Sequence, residues 1–518
     1  MTTELIINKN DYETRIILME EGKLAEIFIE RSEETPKHGN IYKGKVMQVL
    51  PGIQASFIDI GWEKSAFLYA GDFYEIDALD YDFFEPAEGE PVAGEQPENE
   101  NADNKAHSQR KKPKKKRTGL PDIDKLIKKN QEILVQVAKE PIKTKGARVT
   151  SHISLPGRFL VYMPTSSSIG ISRKIKSDKE KKKLKNIVLK YRSEGTGFIV
   201  RTAAENASEI DIERDIRYLT GLWNNIYNEQ INAKAPKLIF RDINISLRAL
   251  RDFLNKKIDK ILVDDEEEYK KIIEFLSIQS PEYIDIVELY KDKSGIPIFD
   301  RYNIEKEISK SLNKKVWLKS GGHIVIDHAE ALTAIDVNTG KFVGKRNFDD
   351  TIFKTNTEAA KEIACQLRLR NIGGIIVIDF IDMTVKDHKE KVYRTLENAL
   401  KNDRVKTTIN RITELGLVEM TRKRTGNSLV STFLDQCPAC EGSGMVKSMQ
   451  TVSFEVLRAV LNYAKRTKSK KINVTVHPSV MNKLYENEKE LKKLEERIHK
   501  TINIKMQDGF YPEYFEIS

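Results

Sequence analysis

Two apolar stretches of the chain end in aspartate: "ALTAIDVN" carries Asp336, and "GGIIVID" carries Asp379 at its last position. A carboxylate at a strand end is incompletely buried. Two of them at strand ends of one α/β unit can converge on a hard cation such as Mg2+, leaving most coordination positions to water and phosphate oxygens. An ion held that way activates a water, stabilises charge on phosphorus and helps a 3′ oxygen leave. Asn338 follows Asp336 by two residues, on the same strand face, where it can orient a carboxylate or the scissile phosphate. Aspartates that close apolar strands also serve as turn or helix-cap residues. Asp382 is assigned such a cap or supporting role, and Asp327 a place in a hairpin turn.

A second group is "CPACEGSG", a Cys-x-x-Cys knuckle formed by Cys437 and Cys440. Structural zinc prefers four tetrahedral ligands, and the third and last cysteine, Cys365, lies far away in "EIACQLRL". One chain is therefore two ligands short. Cys365 falls on an apolar helical stripe and is expected to be a buried packing residue. A third group is Arg201 with Thr202, at the end of the strand-like "GTGFIV" and ahead of a helix, where guanidinium, hydroxyl and backbone amides can face one phosphate. The same pair also suits an ordinary solvated turn.

The elements that must position these groups are read from periodicity. "ETRIILMEEGKLAEIFIER" alternates as two strands turning at Glu21 to Lys23, a hairpin in need of a sheet. From Gly39, short alternating strands separated by Pro51-Gly52 and Gly61 resemble the OB-type RNA-binding barrel, in which Phe57 and Phe67 match the aromatics that stack bases. Both rings would equally suit a barrel core. Residues 74–118 interrupt the barrel with an acidic, Pro/Gly-spaced half followed by "SQRKKPKKKRTG", a charged segment read as disordered. "EILVQVAKEP" closes the barrel and offers Lys139 beside the stacking face. A long helical stretch is expected from Ile210 to Lys257, then alternating strand and helix in an α/β pattern that supplies the sheet for the N-terminal hairpin. "GGHIVIDHAEALTAIDVNTG" is a hairpin, and "GGIIVID" a fully apolar strand after a helix.

Size and charge bound the answer. With 518 residues and 39% hydrophobic content, the chain is expected to form about three to four domains. No run approaches a membrane span, and the N-terminus has neither a basic start nor a cleavable apolar core, so a cytoplasmic location is expected. Three cysteines cannot build a disulfide framework, and a net charge of +9 favours a polyanionic partner. Histidine-based, metal-free ribonuclease chemistry is disfavoured, because the eight histidines show no suggestive pairing.

In this order and behind a barrel, "ALTAIDVNTGKFVG", "EIACQLRLRNIGGIIVIDFIDM", "LGLVEMTRKR" and "CPACEGSG" resemble the bacterial ribonuclease E/G family over nearly the whole chain, on its ribonuclease G side. The resemblance implies a multidomain α/β fold: RNase H-like parts at 1–38 and 247–311, an OB-fold barrel at 39–145, and a 5′-sensor region at 146–246. It further implies a DNase I-like catalytic part at 312–433, a zinc-link at 434–448 and a small C-terminal domain at 449–518. It implies a magnesium-dependent endoribonuclease that hydrolyses single-stranded, AU-rich RNA to 5′-phosphate and 3′-hydroxyl ends in rRNA and tRNA processing and mRNA decay, stimulated by a 5′ monophosphate. Asp336 and Asp379 would bind Mg2+ with Asn338 assisting; Phe57, Phe67 and Lys139 would grip the RNA; Arg201, Thr202, Arg173 and Lys406 would sense the 5′ phosphate. Cys437 and Cys440 of two chains would share one Zn2+ in a homodimer, which can pair further into a homotetramer. Lys174 and Lys406 stand where the family commonly has arginine. Lysine lacks the bidentate fork, so a less selective phosphate pocket is expected. The competing reading is a non-catalytic RNA- or ribosome-binding scaffold, and a third is an exonuclease or DNA nuclease with the same metal chemistry.

Overall fold

The computed structural model describes residues 2–32, 37–73, 122–141, 146–254, 258–340, 348–413 and 415–518. The charged segment at 74–118 lies outside them. The chain divides into two compact units, Met1–Leu429 and Val430–Ser518.

The expected N-terminal hairpin is present as strands Glu13–Glu20 and Lys23–Arg31, turning through Glu21 and Gly22, both at positive φ. That backbone matches the right-handed twist of a two-residue hairpin. Ahead of it runs Thr3–Lys9, a strand not expected from the sequence, which pairs with Glu13–Glu20 on one side and in parallel with Lys260–Val263 on the other. Val287–Leu289 completes this five-stranded sheet. The α/β segment past residue 257 thus supplies the missing strands. Leu5, Ile7, Ile16 and Leu18 pack against Leu250 and Phe253 of the helix Ile245–Phe253 and against Leu276 of the helix Glu266–Gln279.

Five strands, Ile41–Leu50, Ala55–Asp59, Ala66–Tyr69, Arg148–Thr150 and Glu132–Lys139, form a closed barrel, the last pairing back with the first. This is consistent with an OB fold. Its interior is Val46, Ile58, Ala66, Leu68, Val135 and Val149, each essentially solvent-free. Closure uses Arg148–Thr150 as well as the strand at 132–139. The helix expected to run from Ile210 to Lys257 is broken. Glu209–Asn232 and Ile245–Phe253 are helical, but Lys237–Phe240 between them is a strand on the barrel's edge. Pro236 has no N–H to continue a helix and biases its neighbour towards extended backbone.

A four-stranded sheet, ordered Ile169–Ile171, Gly197–Val200, Leu160–Met163, Leu155–Pro156, carries Arg201 at the end of its second strand. The six-stranded sheet behind the aspartates is ordered Lys315–Trp317, His323–His328, Leu332–Asn338, Gly374–Asp379, Leu417–Arg422, Thr407–Ile409. Its central pair is parallel, joined through the crossover helix Phe348–Leu369. Ile324, Ile326, Ile335, Val337, Ile376 and Ile378 point to the buried face, where Ile363 and Leu367 of that helix meet them. The opposite face is open. Ile375, in the strand expected to be apolar on both sides, is 52% exposed there.

The second unit holds the helix Met449–Ala464, two further helices and a three-stranded sheet with Lys471–Val476 at its centre. Among the described residues no helix is long and apolar enough to cross a membrane.

Candidate functional site

On the open face, Asp336 and Asp379 are direct register partners across the parallel pair, and both are exposed. The amide Nδ2 of Asn338 donates to Oδ2 of Asp336 at 2.7 Å. Asp379's carboxyl is pushed above the ordinary aspartate value, by partial desolvation first and then by the negative charges of Asp336 and Asp382. Among the described residues no ion pair neutralises these three carboxylates. Two exposed carboxylates in direct register could lend oxygens to a hard divalent cation, which would relieve the repulsion that raises Asp379, but among the described residues no three His, Cys, Asp or Glu side chains gather as a metal site.

The strand ends are held from below. Asn356, fully buried on the crossover helix, donates to the Ile381 carbonyl at 2.8 Å and accepts the Ile381 N–H at 3.1 Å, fixing the segment between Asp379 and Asp382. A Cβ on Gly322 would meet the Asn338 carbonyl at 2.7 Å, so glycine permits the close approach that completes this part of the sheet. Asp382 lies near enough to Asp379 for its charge to act on that carboxyl. Asp327 is not a turn residue: it sits within the strand His323–His328 and pairs with Lys314 at 2.8 Å. Asn356 carries no sequence signal, since a mid-helix asparagine declares no partner.

On the barrel, Phe57 and Phe67 are register partners whose rings meet edge to face at 6.1 Å. Both are half-buried and stand outside the barrel core. The row continues through Arg148, opposite Phe67, to Lys139, opposite Arg148. Phe57, Phe67, Arg148 and Lys139 thus form one band across four strands. Arg148 is held by the buried Asp72 through bonds of 2.9 and 3.1 Å and was not anticipated from the sequence.

Arg201 and Thr202 follow Gly197–Val200, and Ser172 and Arg173 follow the adjacent parallel strand, with Ile171 opposite Val200. The four residues therefore stand at neighbouring strand ends. The hydroxyls of Thr202 and Ser172 are 3.0 Å apart. Arg201 is already engaged: Nη1 donates to the Gly157 carbonyl at 2.5 Å and Nη2 to Asp252 at 2.9 Å. Burial alone would raise Asp252, yet the guanidiniums of Arg251 and Arg201 hold its carboxyl down to about 2. Beneath them Asp215, completely buried, accepts N–H bonds from Arg158, Phe159 and Leu160 at 2.8 to 3.2 Å and stabilises the turn that carries Gly157. Lys406 is exposed just before the edge strand Thr407–Ile409 of the aspartate sheet. Two residues before it, the Arg404 guanidinium packs 3.9 Å over Phe253, the neighbour of Asp252.

In the second unit the Cys437 thiol is pulled below its ordinary value by the backbone N–H groups of Cys440 and Ala439 and by the Cys440 side chain. Glu441, Gly442 and Gly444 take positive φ to make the turn. A tight turn of amides around an acidified thiol suits thiolate ligation. Among the described residues no three His, Cys, Asp or Glu side chains gather as a metal site, so the knuckle alone does not complete one. Cys365 is exposed, contrary to expectation: Ile363, Ala364 and Leu367 face the core, and position 365 turns away from them.

The exposed carboxylate pair lies on a mixed sheet, and the same unit holds a closed five-stranded barrel with an outward aromatic band. The Ribonuclease E/G family model matches residues 154–425, and the model of the RNase E/G thioredoxin-like domain matches residues 436–518. Ribonuclease G of Escherichia coli (strain K12) is 41% identical over 518 residues, 100% of this chain and 99% of that protein. Ribonuclease G of Haemophilus influenzae is 40% identical over 517 residues, with 99% of both chains covered. Ribonuclease E of Haemophilus influenzae is 33% identical over 509 residues, 98% of this chain and 50% of that longer protein. The chain belongs to the ribonuclease E/G family, and membership makes it an enzyme of the endoribonuclease class. The thioredoxin-like match takes in the Cys437 knuckle together with the C-terminal domain.

Proposed function

We propose that the protein is a magnesium-dependent endoribonuclease that hydrolyses single-stranded, AU-rich RNA to 5′-phosphate and 3′-hydroxyl products. The observation that carries this reading is the direct register of Asp336 with Asp379, with Asn338 bonded to the first of them. The two carboxylates would hold the ion. When bound, magnesium supplies charge stabilisation at the phosphoryl centre and acidifies the attacking water. Asn338 fixes one oxygen of Asp336, which leaves the other free to point outward. Water adds to phosphorus, the P–O3′ bond breaks, and the phosphate stays on the downstream fragment. Phe57 and Phe67 would stack bases, with Lys139 at the end of the band for backbone phosphates. Arg201, Thr202 and Arg173 would receive a 5′ monophosphate, with Lys406 contributing charge from the sheet edge. Their arrangement supports stimulation by that group, less selectively than an all-arginine pocket.

The roles follow in rRNA and tRNA processing and mRNA decay, in the cytoplasm. The parts at 1–38 and 247–311 would be RNase H-like and the part at 312–433 DNase I-like. Two chains would share one zinc through Cys437 and Cys440, giving a homodimer and, by pairing of dimers, a homotetramer. Cleavage of a 5′-labelled AU-rich oligonucleotide, with and without Mg2+, tests the enzyme against an RNA-binding scaffold. Cleavage of a closed circular RNA tests endonucleolytic action, because a circle offers no end.

A further inference from the structure

The open face of the aspartate sheet extends beyond the carboxylates. In register with Asn338 stands His323 on the next strand, and opposite His323 stands Trp317 on the edge strand. Register partners share a face, so Trp317, His323 and Asn338 form one transverse row, and Lys315, Val325, Asp336 and Asp379 form the next. From strand spacing, Trp317 lies about 10 Å from Asn338 across the sheet. Trp317 is 65% exposed, a large apolar side chain beside charged groups. The His323 ring supports it at 5.2 Å, and the exposed Lys315 places its ammonium 4.1 Å from the indole centroid.

Four features of this row point to one occupant. An indole face stacks on any nucleobase. His323 pins it from one side with a second ring. Lys315 is a long, exposed cation that can leave the indole for a backbone phosphate. The row also opens directly onto the carboxylates, where a polyanionic strand would have to pass to be cut. A protein partner seated here would cover the aspartates; a single strand of RNA would run through them.

We propose that Trp317, backed by His323, is a base-stacking platform that receives a nucleobase of the RNA close to the scissile phosphate, with Lys315 contacting the adjoining backbone. The inference rests on the endoribonuclease reading above. It adds to that reading a positioning subsite on the catalytic sheet itself, separate from the aromatic band of the barrel.

The test uses the full-length protein carrying Asp379→Asn, so that RNA is bound without being consumed, and a short single-stranded oligoribonucleotide labelled for anisotropy. Trp317→Ala should weaken binding roughly 5- to 150-fold, the range that stacking of one base provides, while Trp317→Phe retains most of the affinity. In the otherwise native enzyme, Trp317→Ala should raise KM far more than it lowers kcat. A set of oligonucleotides, each with one abasic position, supplies a readout that a structural role would not move. One abasic position should weaken binding to the Trp317 protein and have no further effect on the Trp317→Ala protein. Native affinity and KM in a folded Trp317→Ala protein, or equal abasic sensitivity in both proteins, would overturn the platform. Those results would leave the nuclease reading standing if the native enzyme cuts and Asp379→Asn does not. Absence of cutting by the native enzyme would refute the nuclease reading instead.

Discussion

Removing the aromatic band of the barrel should separate grip from chemistry. Phe57 and Phe67 are half-buried, stand outside the barrel core and touch each other edge to face at 6.1 Å. Truncating either to alanine leaves the interior of Val46, Ile58, Leu68 and Val135 intact, so the folded state should survive. A stacked base is worth about 1 to 3 kcal/mol per ring, hence about a 5- to 150-fold weaker Kd for each single variant. The two effects should not add in full. Each ring positions the other, and contacting aromatic pairs typically couple by about 0.5 to 1.5 kcal/mol. The assay is anisotropy of a labelled single-stranded oligonucleotide at one fixed salt concentration, because phosphate contacts make any affinity salt-dependent. Circular dichroism melts confirm that the barrel is folded. Native affinity in the folded double variant would refute base stacking and return both rings to a packing role.

Catalysis should fail without loss of binding in Asp336→Asn and in Asp379→Asn, since an amide is a poor magnesium ligand; a near-native rate at saturating Mg2+ would remove that residue from the site. Arg201→Ala should reduce the preference for 5′-monophosphorylated over 5′-hydroxylated RNA, and Asp252→Asn should do so in part, because Asp252 aims the guanidinium at 2.9 Å. Equal cutting of both RNAs by the native enzyme would show that the pocket does not sense phosphate. Cys437→Ser should release zinc and dissociate the dimer together, with one zinc per two native chains, while Cys365→Ser does neither. One tightly held zinc per chain, or a metal-free dimer, on metal analysis and sedimentation contradicts the shared site.

Much of the architecture was legible where the signal is local. Alternation in "ETRIILMEEGKLAEIFIER" marks a hairpin, and Asp379 closes its apolar strand as expected, whereas Asp336 lies inside the strand Leu332–Asn338 two residues short of its end. Long-range partnership was not legible. Thr3–Lys9 is a strand because Lys260–Val263 lies beside it, and nothing within its own seven residues says so. Ile375 breaks the rule that an apolar strand is buried twice, because the face it occupies is left open beside the carboxylates. Apolar helical spacing continues past Ile210 in the sequence, but Pro236 and the strand Lys237–Phe240 break the helix there. Asp252, Asn356 and Trp317 are illegible in the sequence for a common reason. Each acts through a neighbour from another element, and such pairings leave no spacing in the sequence.

The parallel pairing of Thr3–Lys9 with Lys260–Val263 also sets an order of assembly on the ribosome. The strands that close the barrel all lie between Ile41 and Thr150, so the barrel has its full complement while the N-terminal meander still presents an unpaired edge. That edge waits for residues made much later, and Asp336 and Asp379 later still. Closing so long a loop is slow, because its entropy must be lost before the contact forms. The growing chain therefore carries a completed barrel for an extended interval before the strands of Asp336 and Asp379 exist.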